Sequence, residues 1–176
     1  MDLQTQYQFD AGVDAVFAMF TDAEYQRQKL VDAGHANVEV LECGPTDDGK
    51  SIRIVSRRTV AVEVPGVLKR VLPATNTVTQ TDEWDAEPEG STRAGTWKVD
   101  IRGVPIHLSG TMHLEAGTSA KTGKPVKTKS IESIDGQVKA SLPLVGGKLE
   151  KLAYGNFMDA TAQEQDFSNR WLAGKV

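Results

Sequence analysis

The hydrophobic pattern changes its period along this chain, and that change restricts the possible folds more than any other feature. Between residues 37 and 142, apolar residues recur at alternate positions, which is the pattern of half-buried β-strands. Strand candidates cover residues 37–43, 51–64, 77–85, 95–102, 106–115 and 128–142. Their short connections predict antiparallel pairing, because parallel strands require long crossovers.

The last segment, from residue 145 onward, has helical spacing instead. One stripe contains Val145, Leu149, Leu152, Asn156, Ala160, Gln163, Phe167 and Trp171. A helix of about 28 residues is ~42 Å long, which is enough to cross the whole sheet. A concave sheet must bury one face, and only this helix is large enough to cover it.

A strand and a helix are predicted at the start of the chain. Residues 3–9 alternate between apolar and polar side chains, as a first strand does. Asp10 is then predicted to cap a short helix over residues 13–20, whose apolar positions share one face.

A second short helix is predicted directly after the first. Thr21 followed by Glu24 forms a capping-box pattern, which indicates a helix over residues 22–33 that ends at Gly34. The complete order predicts an α+β fold. About seven antiparallel strands curve around a long C-terminal helix, with two short helices after strand 1.

Three local runs resemble a known family: VDAVF at 13–17, VPGVLKR at 64–70 and LPLVGG at 142–147. They are similar to an actinobacterial family of unknown function within the START-related, pollen-allergen-like superfamily, called SRPBCC. The element order resembles the helix-grip fold of that superfamily over the whole chain, as a single domain of residues 1–176. The resemblance implies a cavity between sheet and helix that binds lipids, sterols or polyketides. Some members of the superfamily are enzymes, and many are carriers or sensors.

The composition argues against several other functions. A net charge of -4 disfavours a general nucleic-acid binder, which needs clustered Lys and Arg. Cys43 is the only cysteine, so an internal disulfide and a cysteine-rich zinc site are excluded. The N-terminal residues have no signal-peptide pattern, and no apolar run approaches the ~18 residues of a spanning helix. We therefore expect a cytoplasmic protein.

No motif for a catalytic, cofactor or metal site is found. The run at 117–124 has five residues between its glycines and Pro125 after them, so it predicts a hairpin tip rather than a phosphate loop. His107 and His113 share a strand face but lie ~20 Å apart, too far to bind one metal ion. We expect these two histidines and His35 to be exposed to solvent.

Strand parity indicates a polar patch on the concave side. In the strand at 51–64, the apolar parity brings Ser56 and Arg58 inward, and in the next strand it brings Gln80 and Asp82 inward. A buried charge needs a partner, so Arg58 is expected to pair with Asp82. A β-bulge would reverse the parity and place these groups in solvent, and that alternative remains open.

The leading hypothesis is a non-catalytic carrier or sensor that binds an apolar or amphipathic small molecule. Its predicted ligand-binding residues are Arg58, Gln80, Asp82, Trp84, Trp97, Ile101, Leu108, Met112, Asn156 and Phe157. Asn156 fits a solvent-edge position equally well. One alternative is a cyclase, aromatase or hydratase, with Asp82 as general acid or base and Arg58 setting its charge state. A second alternative is a structural or interaction module whose core is filled by its own side chains.

The segment between Pro65 and Pro73 is an apolar insert where a plain hairpin would suffice. A helical turn there would place Val67, Leu68, Val71 and Leu72 on one side and Lys69 and Arg70 on the other. One interpretation is a plug at the end of the sheet. The other is a gate over the cavity mouth, whose basic side makes transient contact with an anionic membrane.

A second basic group, at Lys121, Lys124, Lys127 and Lys129, is predicted in the loop before the last strand. It is interpreted as a solvated loop tip or as a contact for an acidic partner or an anionic membrane surface.

Overall fold

Seven strands and three α-helices form the part of the chain that the computed structural model describes, residues 1–70, 72–89, 91–119 and 122–176. The strands are β1 (Asp2–Phe9), β2 (Ala36–Pro45), β3 (Ser51–Ala61), β4 (Thr75–Asp85), β5 (Arg93–Ile101), β6 (Ile106–Thr118) and β7 (Pro125–Ala140). The helices are α1 (Val13–Phe20), α2 (Ala23–Asp32) and α3 (Gly146–Leu172). The predicted α+β helix-grip fold is confirmed: two short helices follow the first strand, and one long helix follows the last.

The strands form one curved antiparallel sheet in the order β1-β7-β6-β5-β4-β3-β2. From β2 to β7 each strand pairs with its neighbour in sequence, as the short connections predict. The first strand departs from this pattern, because it pairs with the last one. Strands β1 and β2 are therefore the two edges, and α1 and α2 connect one edge to the other.

Helix α3 packs on the concave face through Leu149 and Phe167, which are buried. Helices α1 and α2 complete the core with aromatic side chains. Phe20 stacks on Trp84 with ring centroids 5.9 Å apart, and Tyr25 lies 5.8 Å from the ring of Phe167. Apolar side chains from all three helices thus cover the inner face of the sheet.

The predicted cap of α1 is wrong. Asp10 does not cap the helix; it forms an ion pair with Lys129 at 3.2 Å, and the helix begins after Gly12 with no side-chain cap. A Cβ atom at Gly12 would collide with the backbone carbonyl of Lys127, so the chain can enter the helix here only through glycine.

The predicted capping box of α2 is also wrong, by one residue. The cap is Asp22, whose Oδ1 accepts a hydrogen bond from the Tyr25 backbone N–H at 2.7 Å. Thr21 instead ends α1, because its hydroxyl donates to the Phe17 carbonyl at 2.9 Å. Gly34 follows the helix with φ +78°, a conformation that favours glycine and agrees with the predicted stop.

Most strand ends differ from the prediction by one to three residues, and two of these differences change how a predicted segment is assigned. Strand β3 ends at Ala61, before the segment that precedes Pro65. Strand β7 begins at Pro125, so Lys127 and Lys129 are exposed strand residues rather than loop residues. The predicted basic loop is therefore reduced to Lys124, and Lys121 lies outside the described residues.

The insert at 64–73 forms a short 3₁₀ turn at Gly66–Leu68. Leu68 and Leu72 are buried, whereas Val67 is half exposed, so the predicted common face of these residues is wrong. A 3₁₀ helix has three residues per turn, and consecutive side chains such as Val67 and Leu68 therefore point in different directions. Val71 lies outside the described residues.

Candidate ligand-binding cavity

A cavity of about 680 Å³ lies between the concave face of the sheet and α3. The structure places all ten of the predicted ligand-binding residues on its wall. The apolar members are Trp84, Trp97, Ile101, Leu108, Met112 and Phe157. Leu72 from the 64–73 insert also lines the cavity, so this insert closes part of one end.

The indole of Trp97 reaches across the neighbouring strand β6. Its Nε1–H donates to the Asp135 carbonyl of β7 at 3.2 Å, and the strand between them has Gly110 opposite both Trp97 and Gly136. A Cβ atom at Gly136 would lie 2.5 Å from Cζ2 of Trp97. Gly136 therefore provides the room for the indole, whereas at Gly110 a Cβ atom would collide with the Asp135 carbonyl of β7.

Arg58, Gln80 and Asp82 form a hydrogen-bonded chain on the inner faces of β3 and β4. Arg58 Nη2 donates to Gln80 Oε1 at 3.0 Å, and Gln80 Nε2 donates to both carboxylate oxygens of Asp82 at 3.1 Å. The register between the two strands is unbroken from Ser51 to Ala61, so no bulge reverses the parity.

The expected direct pair between Arg58 and Asp82 is wrong, because Arg58 lies opposite Val78, four residues from Asp82 along β4. Gln80 occupies the intermediate position and connects the two charges. Burial lowers the pKa of Arg58, while the negative charge of Asp82 opposes that change. Burial likewise raises the pKa of Asp82, and Lys29 opposes it.

An ion pair between a buried lysine of α2 and a half-buried glutamate of α3 also lines the cavity. Lys29 Nζ lies 2.5 Å from Oε1 of Glu164, and the Lys29 side chain is only 6% exposed. This pair was not predicted from the sequence. Lys29 and Glu164 are 135 residues apart in the sequence. The hydrophobic spacing along their two helices does not distinguish them from charged residues on the surface.

Glu132 on β7 is the most isolated acid on the wall. It is 9% exposed, and no described residue donates a hydrogen bond to its carboxyl. Burial raises the pKa of Glu132 to about 8, and the negative charge of Glu164 adds to that rise. Glu132 was not predicted from the sequence either, although it shares the inward parity of Ile134 and Val138, and that parity was a readable signal.

Two tyrosine hydroxyls attach the long helix to the rest of the wall. Tyr7 of β1 donates to Thr161 Oγ1 at 2.5 Å, and the hydroxyl of Tyr25 lies 2.6 Å from Ser168 Oγ. All four residues are buried, so the polar groups of this part of α3 are satisfied within the protein.

The mouth of the cavity is marked by lining residues that are exposed to solvent. They are Gly34, Ala61, Glu63, Asn156, Asp159, Ala160 and Gln163. They come from the end of α2, the end of β3 and the middle of α3. Asn156 therefore has both of the positions left open by the sequence: it lies at the solvent edge and it lines the cavity.

The three histidines do not behave alike. His107 and His113 are exposed, as expected, but His35 is half-buried and lines the cavity. Burial lowers the pKa of His35, and the charge of Arg58 adds to that effect, so His35 is uncharged at neutral pH. Within residues 1–70, 72–89, 91–119 and 122–176, no group of three or more metal-binding side chains is assembled.

A curved antiparallel sheet that surrounds a long C-terminal helix and encloses a cavity defines the helix-grip class of fold. A START superfamily protein from Mycobacterium smegmatis superposes with a TM-score of 0.51 and 14% identity, over 97% of this chain and 98% of that one. The Zhui aromatase/cyclase from Streptomyces sp. R1128 has a TM-score of 0.60 and 13% identity, over 98% and 93% of the two chains.

Within that class, the chain belongs to the family described as protein of unknown function DUF2505, which matches residues 4–172. Uncharacterized protein Rv0481c of Mycobacterium tuberculosis H37Rv is 24% identical over 177 residues, covering 96% of this chain and 94% of the relative. The predicted resemblance to an actinobacterial family of unknown function is thus confirmed. No helix in the described part of the chain combines the length and apolarity needed to cross a membrane.

Proposed function

We propose that this protein binds an apolar or amphipathic small molecule in the cavity between the sheet and α3, as a carrier or sensor. The observation that carries the proposal is the cavity itself, about 680 Å³ in volume and walled by Trp84, Trp97 and Phe157. Ligand pockets have volumes of roughly 300–1,000 Å³ and a mostly apolar lining with a few polar groups. A structural module with a filled core would contain few voids larger than a water molecule.

The first test is native mass spectrometry of freshly purified protein, followed by titration with a lipophilic fluorescent dye. Trp84 and Trp97 lie on the wall, so a bound dye is expected to quench their emission. An Ala153→Phe substitution on the inner face of α3 is expected to fill the cavity and to weaken dye binding. Ala162→Phe adds the same side chain on the exposed face of that helix and is the matched control.

These measurements decide between the proposal and the alternative of a filled core. Dye binding that Ala153→Phe weakens and Ala162→Phe leaves unchanged supports the cavity as the binding site. A protein without co-purified ligand, with equal dye binding in both variants and the parent, contradicts the proposal.

A second candidate function is an enzyme of the cyclase, aromatase or hydratase type. The observation that favours it is Glu132, because burial raises its pKa to about 8 and a group that titrates near neutral pH suits general acid–base catalysis. Asp82, the acid that the sequence singles out, also has a raised pKa from burial. Turnover of a polyketide-like probe that Glu132→Gln abolishes without loss of binding would favour this function over a carrier role.

A further inference from the structure

Among the described residues of the cavity wall, acidic side chains outnumber basic ones. The described lining residues include the carboxylates Glu63, Asp82, Glu132, Asp159 and Glu164. The permanent cations of the same wall are Lys29 and Arg58, since His35 is uncharged at neutral pH. The wall therefore carries an excess of acid groups, whereas the aromatic side chains beside them are apolar.

The two cations already have partners. Lys29 is paired with Glu164 at 2.5 Å, and Arg58 is connected to Asp82 through Gln80. The carboxyl without a counter-charge in the interior is therefore Glu132. Glu63 and Asp159 are exposed at the mouth and add negative charge where a ligand would enter.

Among the described residues, the elements around Glu132 offer no further cation. Its cross-strand neighbours are Tyr7 on β1 and Leu114 on β6, and the charged groups that act on it are Glu164, Lys29 and Asp82. The Tyr25 hydroxyl of α2 is occupied by Ser168.

Arg93 lies one strand beyond Leu114, but it does not supply the missing charge. Its guanidinium lies 4.1 Å from the centre of the Phe17 ring, and its Nη1 donates to the Ala86 carbonyl. An unpaired carboxylate in such a site is costly, so it is neutral unless a cation arrives.

We propose that the cavity selects an amphipathic amine, whose ammonium group pairs with Glu132 while its apolar body lies against Trp84, Trp97 and Phe157. This inference rests on the proposed ligand-binding function and specifies the class of ligand. An ammonium supplies the counter-charge that the described part of the protein lacks at Glu132, and it donates hydrogen bonds to a carboxylate that no described residue donates to. A fatty carboxylate would meet the same group with repulsion.

The test compares three probes with the same ten-carbon chain, n-decylamine, n-decanol and n-decanoate, by displacement of the fluorescent dye at pH 8.5, where Glu132 is mostly ionised and the amine keeps its proton. We expect the amine to bind at least about tenfold more tightly than the alcohol, the difference that one charge-assisted hydrogen bond provides. Glu132→Gln is expected to remove this preference by weakening the binding of the amine. Glu115→Gln, on the exposed face of β6, is the matched control.

The pH dependence of wild-type binding is an independent readout, which remains usable if Glu132→Gln does not fold. Glu132 ionises as the pH rises towards about 8, whereas an alkylamine keeps its proton until about 10. The affinity for decylamine should therefore rise between pH 6 and 8.5. The affinity for decanol should stay flat or fall over the same range.

Each outcome supports or overturns the inference. Equal affinities for the three probes, or tighter binding of decanoate, would overturn the amine preference and leave the ligand-binding function standing. An amine preference that survives Glu132→Gln would overturn the role of Glu132. Failure of all three probes to bind would contradict the proposed function as well.

Discussion

Trp97 of β5 and Phe157 of α3 stack with their ring centroids 4.8 Å apart and their planes 30° from parallel. The same indole donates to the Asp135 carbonyl of β7, so one side chain joins the middle of the sheet to the middle of the long helix. This contact fixes the distance between the two walls of the cavity. Its position depends on the space left by Gly136.

Gly136→Ala should therefore disturb the cavity wall. The new Cβ would lie 2.5 Å from the Trp97 ring and 2.6 Å from the Ser109 carbonyl, so one of them must shift. We expect a loss of ~2 kcal/mol or more in unfolding free energy, because overpacking strains its neighbours. A urea melt followed by tryptophan fluorescence measures the loss of unfolding free energy, and the emission of the folded protein reports the disturbance around Trp97.

Gly155→Ala is the control for that substitution. Gly155 lies in α3, where a Cβ atom would have no heavy atom within 4 Å outside its own helix backbone and chain neighbours. Alanine there should stabilise the helix by about 0.5–1 kcal/mol. Equal effects of the two substitutions would show that Gly136 does not support Trp97.

Gln80→Leu should destabilise the protein, because it removes the group that connects Arg58 to Asp82. Both charges would remain buried without their hydrogen-bond partner, at an expected cost of roughly 2–4 kcal/mol. Thr79→Val, on the opposite face of the same strand, should change the unfolding free energy by less than about 0.5 kcal/mol. Urea denaturation of both variants measures the difference. A Gln80→Leu protein as stable as Thr79→Val would mean that water solvates both charges.

Glu132 should make the protein less stable as the pH rises. Its pKa is raised from 4.5 to about 8 by folding, so the folded state holds more protons than the unfolded state between these values. Stability is then highest below pH 4.5 for this group and falls as the pH rises through 8. Asp82 acts in the same direction, because its pKa is also raised.

Glu132→Gln isolates this contribution. As the pH rises from 5 to 9, the unfolding free energy of the variant relative to that of the parent should increase by on the order of 2–4 kcal/mol. The reason is that each pKa unit corresponds to about 1.4 kcal/mol. Urea midpoints at three pH values measure the gain, with Glu115→Gln as control. A constant difference between variant and parent at all pH values would exclude a proton held by Glu132.

Leu149→Ala tests whether α3 is the main core element. Leu149 is 1% exposed, and its truncation should cost about 2–5 kcal/mol in a urea melt. Lys151→Ala, on the exposed face two residues later, should be nearly neutral. An equally small loss for both would mean that the helix is not essential to the core.

The insert at 64–73 can be tested by hydrogen exchange. Leu68 is 1% exposed, and its carbonyl accepts from the Leu72 amide at 2.9 Å, which favours a plug. We expect the amides of Leu68 and Leu72 to exchange as slowly as the central strands, with or without decylamine. Faster exchange that slows when the amine binds would instead identify a gate.

The inward polar patch was predictable because β3 and β4 pair without a register shift. Alternation along the sequence then translates directly into alternation in space, and Arg58 and Gln80 keep the faces that their apolar neighbours indicate. The cavity-lining tryptophans follow from the same rule.

The charges of the other wall were not predictable in this way. Lys29 and Glu164 lie on two helices, and their pairing depends on how those helices pack. Glu132 has the same inward parity as its buried neighbours on β7, so its position could be predicted. Its lack of a cationic partner could not, because this depends on the contacts that Lys29 and Arg58 make in the folded protein. Only the assembled structure contains that information.

The pairing of the first strand with the last has a consequence for synthesis. Each strand from β3 to β7 can join its predecessor as it leaves the ribosome, but Leu3 must wait for Gly136, its partner across the ladder. Until then the aromatic side chains of Phe9 and Phe20 have no completed sheet to cover. The N-terminal segment is therefore the part of the nascent chain that stays longest without its native partner strand.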